Sequence, residues 1–74
     1  MRHHLRKFGQ RVQALRLQHE LTQEDAAREI GLSRKQLVRI EAGEANLTFA
    51  SMIAIAKAYG VEVWELLMPE VQGK

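Results

Sequence analysis

The sequence contains no cysteine among its 74 residues, so disulfide bonds and thiolate metal sites are excluded. The three histidines have no close acidic cluster beside them, so we expect neither a metal site nor a cofactor; they are His3, His4 and His19. We interpret the adjacent pair at the N-terminus as a tag remnant or as part of a solvated arm. No histidine–carboxylate or serine–histidine constellation marks a catalytic site, so an enzyme is not expected.

Long apolar runs are missing as well. No stretch approaches the roughly 20 residues that a membrane helix needs. The N-terminus is polar and basic, and no apolar segment of the signal-peptide kind follows it. We therefore expect a soluble, cytoplasmic protein that makes no membrane contact.

Only one proline and five glycines interrupt the chain, and neither a linker nor a repeat divides it. We predict a single domain over residues 1–74, with its core at 5–68 between a flexible basic arm at 1–4 and a frayed tail at 69–74. A domain of this size buries only about 60% of the surface that its unfolded chain exposes. A partner subunit or a ligand would therefore add usefully to its stability.

Charge is unevenly distributed along the chain. Residues 1–39 carry nine Lys and Arg against four Asp and Glu, a net of +5, whereas residues 40–74 carry two against five, a net of −3. This asymmetry is the pattern expected of a domain that binds a polyanion with one face. A chance imbalance on a solvated surface is the alternative.

The spacing of apolar residues predicts five helices and no strand. The helices are expected at about 5–18, at 23–30, between Ser33 and Gly43, at 49–59 and at 62–68. Three of the helices begin after a good N-cap residue: Thr22, Ser33 or Thr48. Three of them end at a glycine: Gly31, Gly43 or Gly60. Ser33 and Gln36 together have the form of a capping box. The side chains expected to face the core are Leu5, Phe8, Val12, Leu15, Ala26, Ala27, Ile30, Leu37, Ile40, Phe49, Met52, Ile55, Ala56, Tyr59, Val63 and Leu66, with Leu67 as a further candidate.

About three residues, including Gly31, join the second and third helices, which fits a helix-turn-helix unit. Leu37 and Ile40 would anchor the third helix to the core, which leaves a polar set free to point away: Arg34, Lys35, Gln36 and Arg39. Such cations can donate to guanine O6 and N7, and a glutamine amide can pair bidentately with adenine. A merely solvated face is the alternative, but residues 34–39 include no acidic partner for these charges.

These features occur in a recognisable order along the chain. The stretches FGQRVQALR at 8–16, LTQEDAA at 21–27, GLSRKQLVRIEAG at 31–43 and IAKAYGVEVWEL at 55–66 resemble the lambda-repressor/Cro-like helix-turn-helix family over about residues 8–67. The resemblance implies an all-α, compact five-helix DNA-binding domain whose helix-turn-helix consists of helices two and three.

The resemblance also implies roles for single residues. Gln23 matches a glutamine that contacts a DNA phosphate and braces the recognition helix, and Asn46 lies where a loop meets the sugar-phosphate backbone. The residues implied to bind DNA are Gln23, Ser33, Arg34, Lys35, Gln36, Arg39 and Asn46. Arg16 and Glu41 match a partly buried salt bridge that ties helix one to the end of helix three.

The loop after Gly43 departs from the family pattern in two places. Glu44 and Ala45 stand where a Lys or Arg is usual, and an acid facing a phosphate would weaken binding. Leu47 replaces a common proline, and the resulting Asn-Leu-Thr is closer to the short controller proteins of restriction–modification systems.

The resemblance favours a sequence-specific transcriptional regulator that binds double-stranded DNA as a homodimer on a palindromic operator, with the restriction–modification controllers as its nearest type. Two alternatives keep the same fold: an antitoxin that also binds a toxin, and a protein-interaction module that has lost the DNA contact. RNA polymerase is a further candidate partner.

The dimer interface is expected on the acidic, C-terminal half of the chain, at Ile53, Trp64 and Leu67. Trp64 stands where related chains usually have a polar residue, and exposed apolar patches usually mark an interaction site. The alternative is that Trp64 folds back over the rim of its own core.

Overall fold

The computed structural model describes residues 2–44 and 48–67, and it contains five helices and no strand in these two ranges. The helices are α1 (Arg2–Gln18), α2 (Gln23–Ile30), α3 (Arg34–Glu41), α4 (Phe49–Tyr59) and α5 (Val63–Leu67). The predicted all-α, five-helix fold class is thereby confirmed. None of the helices in the described ranges is long and apolar enough to cross a membrane.

Helix boundaries differ from the predicted ones mainly at the two ends of the chain. α1 begins at Arg2 rather than near residue 5, so it takes in part of the predicted arm. α5 begins at Val63 and ends at Leu67, one residue inside the prediction at each end. Residues 68–74, which include the predicted tail, lie outside the described part of the chain.

The predicted caps are present in the structure. Thr22 Oγ1 accepts a hydrogen bond from the Asp25 backbone N–H at 3.0 Å, and Thr48 Oγ1 accepts one from Ser51 at 3.0 Å. Gly31 has a left-handed backbone conformation with φ of 95°, which residues that carry a Cβ rarely adopt. These caps fix where α2 and α4 begin and where the turn after α2 can form.

The core is built from side chains of all five helices. Its buried members are Phe8, Val12, Ala26, Ala27, Ile30, Leu37, Ile40, Ile55, Ala56, Tyr59 and Leu66, all of which the periodicity predicts. The prediction for Phe49 is wrong, because its side chain is 66% exposed. Phe49 is the first residue of α4, and helical spacing assigns a side chain to a face without telling whether a neighbouring helix covers that end.

The backbones of α1 and α3 approach each other closely at Gly9. A Cβ at this position would lie 2.7 Å from the carbonyl oxygen of Glu41 and closer still to that of Ile40. Glycine therefore permits the contact that brings the last turn of α3 against α1. This contact also brings Glu41 close to the polar side chains of α1.

Tyr59 is buried, and its hydroxyl has no hydrogen-bond partner among the described residues. Its ring centroid lies 5.2 Å from that of His19, with an angle of 46° between the two planes. Burial raises the pKa of the Tyr59 phenol above its usual value, and the negative charge of Glu41 adds to the shift. The phenol therefore stays neutral in the folded protein at pH values where it would begin to ionise in the unfolded chain.

Replacing Tyr59 with Phe removes this unpartnered hydroxyl, so we expect the variant to be at least as stable as the wild type at pH 7, by up to about 1 kcal/mol. Because the folded phenol has the higher pKa, the wild type should lose free energy of unfolding as the pH rises above about 10. The Phe variant should lose less over the same interval. Urea denaturation at pH 7 and pH 10.5 measures both effects, and a marked loss of stability in the variant at pH 7 would contradict the assignment.

Candidate nucleic-acid interface

The turn between α2 and α3 is short and closed by backbone hydrogen bonds. Gly31 and Leu32 each donate a backbone N–H to the carbonyl oxygen of Ala27 at 2.8 Å. Three residues thus separate the end of α2 at Ile30 from the start of α3 at Arg34. This is the compact connection that the sequence predicts for a helix-turn-helix.

A complete capping box opens α3. The Gln36 backbone N–H donates to Ser33 Oγ at 3.1 Å, and the Ser33 backbone N–H donates to Gln36 Oε1 at 2.8 Å. The bidentate adenine contact considered for Gln36 needs this same oxygen as an acceptor. In the structure this oxygen already accepts the Ser33 N–H, which fixes its direction at the helix N-terminus, whereas neither amide hydrogen of Gln36 is engaged within the described residues.

The two faces of α3 differ in burial and in charge. Leu37 is fully buried and Ile40 nearly so, and these two side chains anchor the helix to the core. The opposite face is exposed, and we call it the cationic face; it consists of Arg34, Lys35, Gln36 and Arg39. Its three cations form no ion pair with any other residue of the described ranges. They are therefore available to an external anion.

A buried ion pair holds the end of α3 against α1. Arg16 Nε donates to Glu41 Oε2 at 2.7 Å, and Arg16 Nη2 donates to Glu41 Oε1 at 3.2 Å. The exposed fraction of the two side chains is only 10% for Arg16 and 4% for Glu41. The structure thus contains the salt bridge that the family resemblance implied.

Two further hydrogen bonds extend this pair to α2. Arg16 Nη1 donates to the carbonyl oxygen of Leu21 at 2.9 Å, just before α2 begins. Gln23 Nε2 donates to Glu41 Oε1 at 3.1 Å, which braces the first residue of α2 against the last residue of α3. No side-chain pattern could have indicated the bond to Leu21, because its acceptor is a backbone carbonyl.

The loop after α3 is described only in part. Glu44 is exposed, and its backbone N–H donates to the carbonyl oxygen of Arg39 at 2.9 Å. Glu44 therefore follows directly on the C-terminal end of the cationic face. The implied backbone contact of Asn46, together with the Leu47 departure, lies outside the described residues.

The predicted dimer residues lie on the surface, away from the core. Trp64 and Leu67 are each 58% exposed on α5, and Ile53 is 37% exposed on α4. More than half of the Trp64 surface is therefore open to solvent. Phe49, the misplaced core residue, adds a further exposed apolar side chain on α4. We call these four side chains the apolar patch.

Comparison with known proteins identifies the domain. Residues 12–66 match the model of the family described as Helix-turn-helix. An uncharacterised helix-turn-helix-type transcriptional regulator of Methanocaldococcus jannaschii is 36% identical over 52 residues, which are 70% of this chain and 79% of that protein. The immunity repressor protein of Bacillus phage phi105 is 38% identical over 55 residues, 74% of this chain and 38% of the repressor.

Solved structures show the same fold. The restriction–modification controller protein C.AhdI of Aeromonas hydrophila superimposes with a TM-score of 0.80 at 37% identity, over 84% of this chain and 94% of that one. A hypothetical transcription factor from Neisseria, NHTF, superimposes with a TM-score of 0.85 at 25% identity, over 90% of this chain and 77% of that one.

The buried ion pair can be tested against an exposed one in the same domain. Arg16→Met leaves the Glu41 carboxylate buried without its cation, so we expect it to lower the free energy of unfolding by about 3–5 kcal/mol. Arg28→Met removes a cation from the exposed pair with Asp25, in which the Arg28 Nη1–Asp25 Oδ1 distance is 3.1 Å, and should cost less than about 1 kcal/mol.

Thermal and urea denaturation give the two values. Should Arg16→Met prove too unstable to measure, the double variant Arg16→Met/Glu41→Leu provides a second readout. It should be more stable than Arg16→Met because no buried charge is left unpaired. Equal costs for Arg16→Met and Arg28→Met would contradict the assigned role.

Proposed function

Since the chain belongs to the lambda-repressor/Cro-like helix-turn-helix family, we propose that this DNA-binding transcriptional regulator acts as a homodimer on a palindromic operator. The family is non-enzymatic, in agreement with the prediction from the sequence. The observation that carries the proposal is the cationic face, whose three cations are exposed and unpaired within the described structure while Leu37 and Ile40 fix the helix behind them.

We assign base readout to the N-terminal half of α3. Arg34 and Lys35 lie in its first turn and would enter the major groove, where a recognition helix contacts base edges with its N-terminal residues. Arg39, one to two turns further along, would reach a base or a nearby phosphate. Ser33 and Gln36 would lie against the same groove.

Two residues outside α3 would contact the sugar-phosphate backbone. Gln23 donates one amide hydrogen to Glu41, which leaves its second one for a phosphate oxygen. Asn46 is proposed for a backbone contact on the strength of the family resemblance. Such contacts set the position of the domain on the duplex but carry no sequence information.

A second copy of the chain is proposed to cover the apolar patch. Phe49 and Ile53 lie one turn apart on α4, and Trp64 and Leu67 lie one turn apart on α5. Exposed apolar patches usually mark an interaction site, and Trp is enriched among the residues that dominate binding energy at interfaces. A two-fold contact uses the same surface on both subunits. The domain measures 33 × 24 × 19 Å, so two copies side by side can present their α3 helices about 34 Å apart, one turn of DNA.

Among regulators of this kind, we propose a restriction–modification controller. The supporting observation is the similarity to C.AhdI, which extends over 94% of that controller's structure. A neighbouring gene for a methyltransferase or an endonuclease would support this assignment. A neighbouring toxin gene would favour the antitoxin alternative.

Arg34→Ala tests base readout. We expect a loss of about 1–3 kcal/mol at the cognate operator and little change on random DNA, because a base contact contributes only where the correct base is present. Lys57→Ala, which removes an exposed cation from α4, is the matched control and should leave the operator preference unchanged. Fluorescence titrations with operator and scrambled duplexes measure the difference. Equal losses on the two duplexes would make Arg34 a phosphate contact.

Trp64→Ala and Ile53→Asp test the dimer. Each should shift the protein towards monomer in analytical ultracentrifugation and greatly weaken operator binding, although the cationic face is untouched. Leu17→Asp is the matched control, because Leu17 on α1 is as exposed as Trp64. If the two patch variants remain dimeric and bind normally, the interface lies elsewhere.

A further inference from the structure

The cationic face consists mainly of hydrogen-bond donors. An arginine presents five N–H donors and no acceptor, and a lysine presents three donors and no acceptor. Arg34, Lys35 and Arg39 are therefore donors in any orientation. Glu41 is the one acidic residue of α3, and Arg16 and Gln23 already donate to its carboxylate in the interior.

Gln36 would be the exception, because a free amide is both a donor and an acceptor. Its Oε1, however, accepts the Ser33 backbone N–H at 2.8 Å. The Ser33 hydroxyl oxygen in turn accepts the Gln36 backbone N–H at 3.1 Å. Both side-chain oxygens of the first turn thus accept a hydrogen bond from the helix's own N-terminus, whose backbone N–H groups have no partner within the helix. Each oxygen keeps a second lone pair, but the cap fixes the direction of the Gln36 oxygen. The Gln36 side chain presents its Nε2 hydrogens.

The major groove distinguishes bases by where donors and acceptors lie. Guanine presents two adjacent acceptors, N7 and O6. Adenine presents one acceptor, N7, beside the N6 amino donor, and cytosine presents the N4 amino donor. A surface made of donors can pair with both acceptors of guanine and with the single acceptor of thymine, O4. It has no partner for the amino groups of adenine and cytosine.

We infer that the cationic face reads hydrogen-bond acceptors, and that guanines, which present two of them side by side, define the base positions which α3 contacts in each half-site. This inference rests on the proposed function, because it takes the cationic face to lie in the major groove. It assigns Gln36 a specific part, since the capping box turns a residue type that commonly recognises adenine into a donor.

The first test uses base analogues in an operator selected from random duplex DNA. Replacing a contacted guanine by 7-deazaguanine removes N7 and leaves Watson–Crick pairing intact, and it should weaken binding about fivefold or more, the lower end of what a bidentate base contact contributes. Replacing adenines by purine one at a time removes the N6 amino group together with one Watson–Crick hydrogen bond to thymine. Inside the site this should weaken binding no more than the same replacement just outside it. A loss of affinity on removing an adenine amino group, with no effect of 7-deazaguanine, would overturn the inference.

The second test changes Gln36 while keeping the cap. Gln36→Glu retains an oxygen for the Ser33 N–H, so the capping box persists, but the Nε2 donor is replaced by an acceptor. Affinity for the wild-type site should fall more than affinity for scrambled DNA. Selection with the variant should replace guanine by cytosine or adenine at one position of each half-site. Unchanged base preference would overturn the part assigned to Gln36.

Gln36→Ala is the companion variant, because it loses both the donor and the cap. It should reduce thermal stability, whereas Gln36→Glu should not, so the effects of folding and of readout are separated. If the wild type selects no sequence from random DNA, both the proposed function and this inference fail. A selected site whose guanines are all insensitive to 7-deaza substitution defeats the inference alone.

Discussion

The ion pair between Arg16 and Glu41 is the interaction on which the placement of the other elements depends. Three helices meet there: α1 supplies the guanidinium, α3 supplies the carboxylate, and α2 joins through Gln23 and the Leu21 carbonyl. A buried ion pair contributes little net stability, because desolvation offsets most of the attraction. Its value lies in geometry, since it is satisfied in one arrangement of the three helices. Gly9 makes that arrangement possible by letting the α1 backbone approach the last turn of α3.

The consequence for function concerns α3 itself. An eight-residue helix is not stable in water on its own, so its existence depends on its cap, its buried side chains and its fixed C-terminal end. Ser33 and Gln36 hold the first turn, Leu37 and Ile40 hold one face, and Glu41 holds the last residue. Among the polar groups of α3, the three cations and the amide hydrogens of Gln36 remain free for recognition. Stability and recognition thus use different atoms of the same short helix.

Most of the fold could be predicted from the sequence, because caps and apolar spacing are local signals. Thr22, Ser33 and Thr48 begin helices as predicted, and the stripe through Ile55, Ala56 and Tyr59 is buried. The prediction for Phe49 was wrong because coverage of a helix end depends on which neighbours reach it. The start of α1 was misplaced because no cap residue precedes it, and apolar spacing alone does not mark where a helix begins.

The candidate site was predicted less completely than the fold. The cationic face follows from its spacing opposite Leu37 and Ile40, but Gln36 carried two incompatible predictions. Its oxygen could complete a capping box or could accept from adenine, and the sequence alone does not decide between them. In the structure this oxygen accepts the capping hydrogen bond from the Ser33 backbone N–H. The partner of Gln23 likewise depends on a packing contact between α2 and α3 that is not local in sequence.

The central claim is that α3, fixed by the buried ion pair, is the element that meets DNA. Titrating the isotopically labelled protein with a selected duplex and following its backbone amides by NMR tests this most directly. The account predicts that the largest shifts fall at the start of α2 and along residues 33–39, while the amides next to Arg16 and Glu41 keep their positions. Shifts concentrated on α4 and α5, with residues 33–39 unchanged, would contradict it.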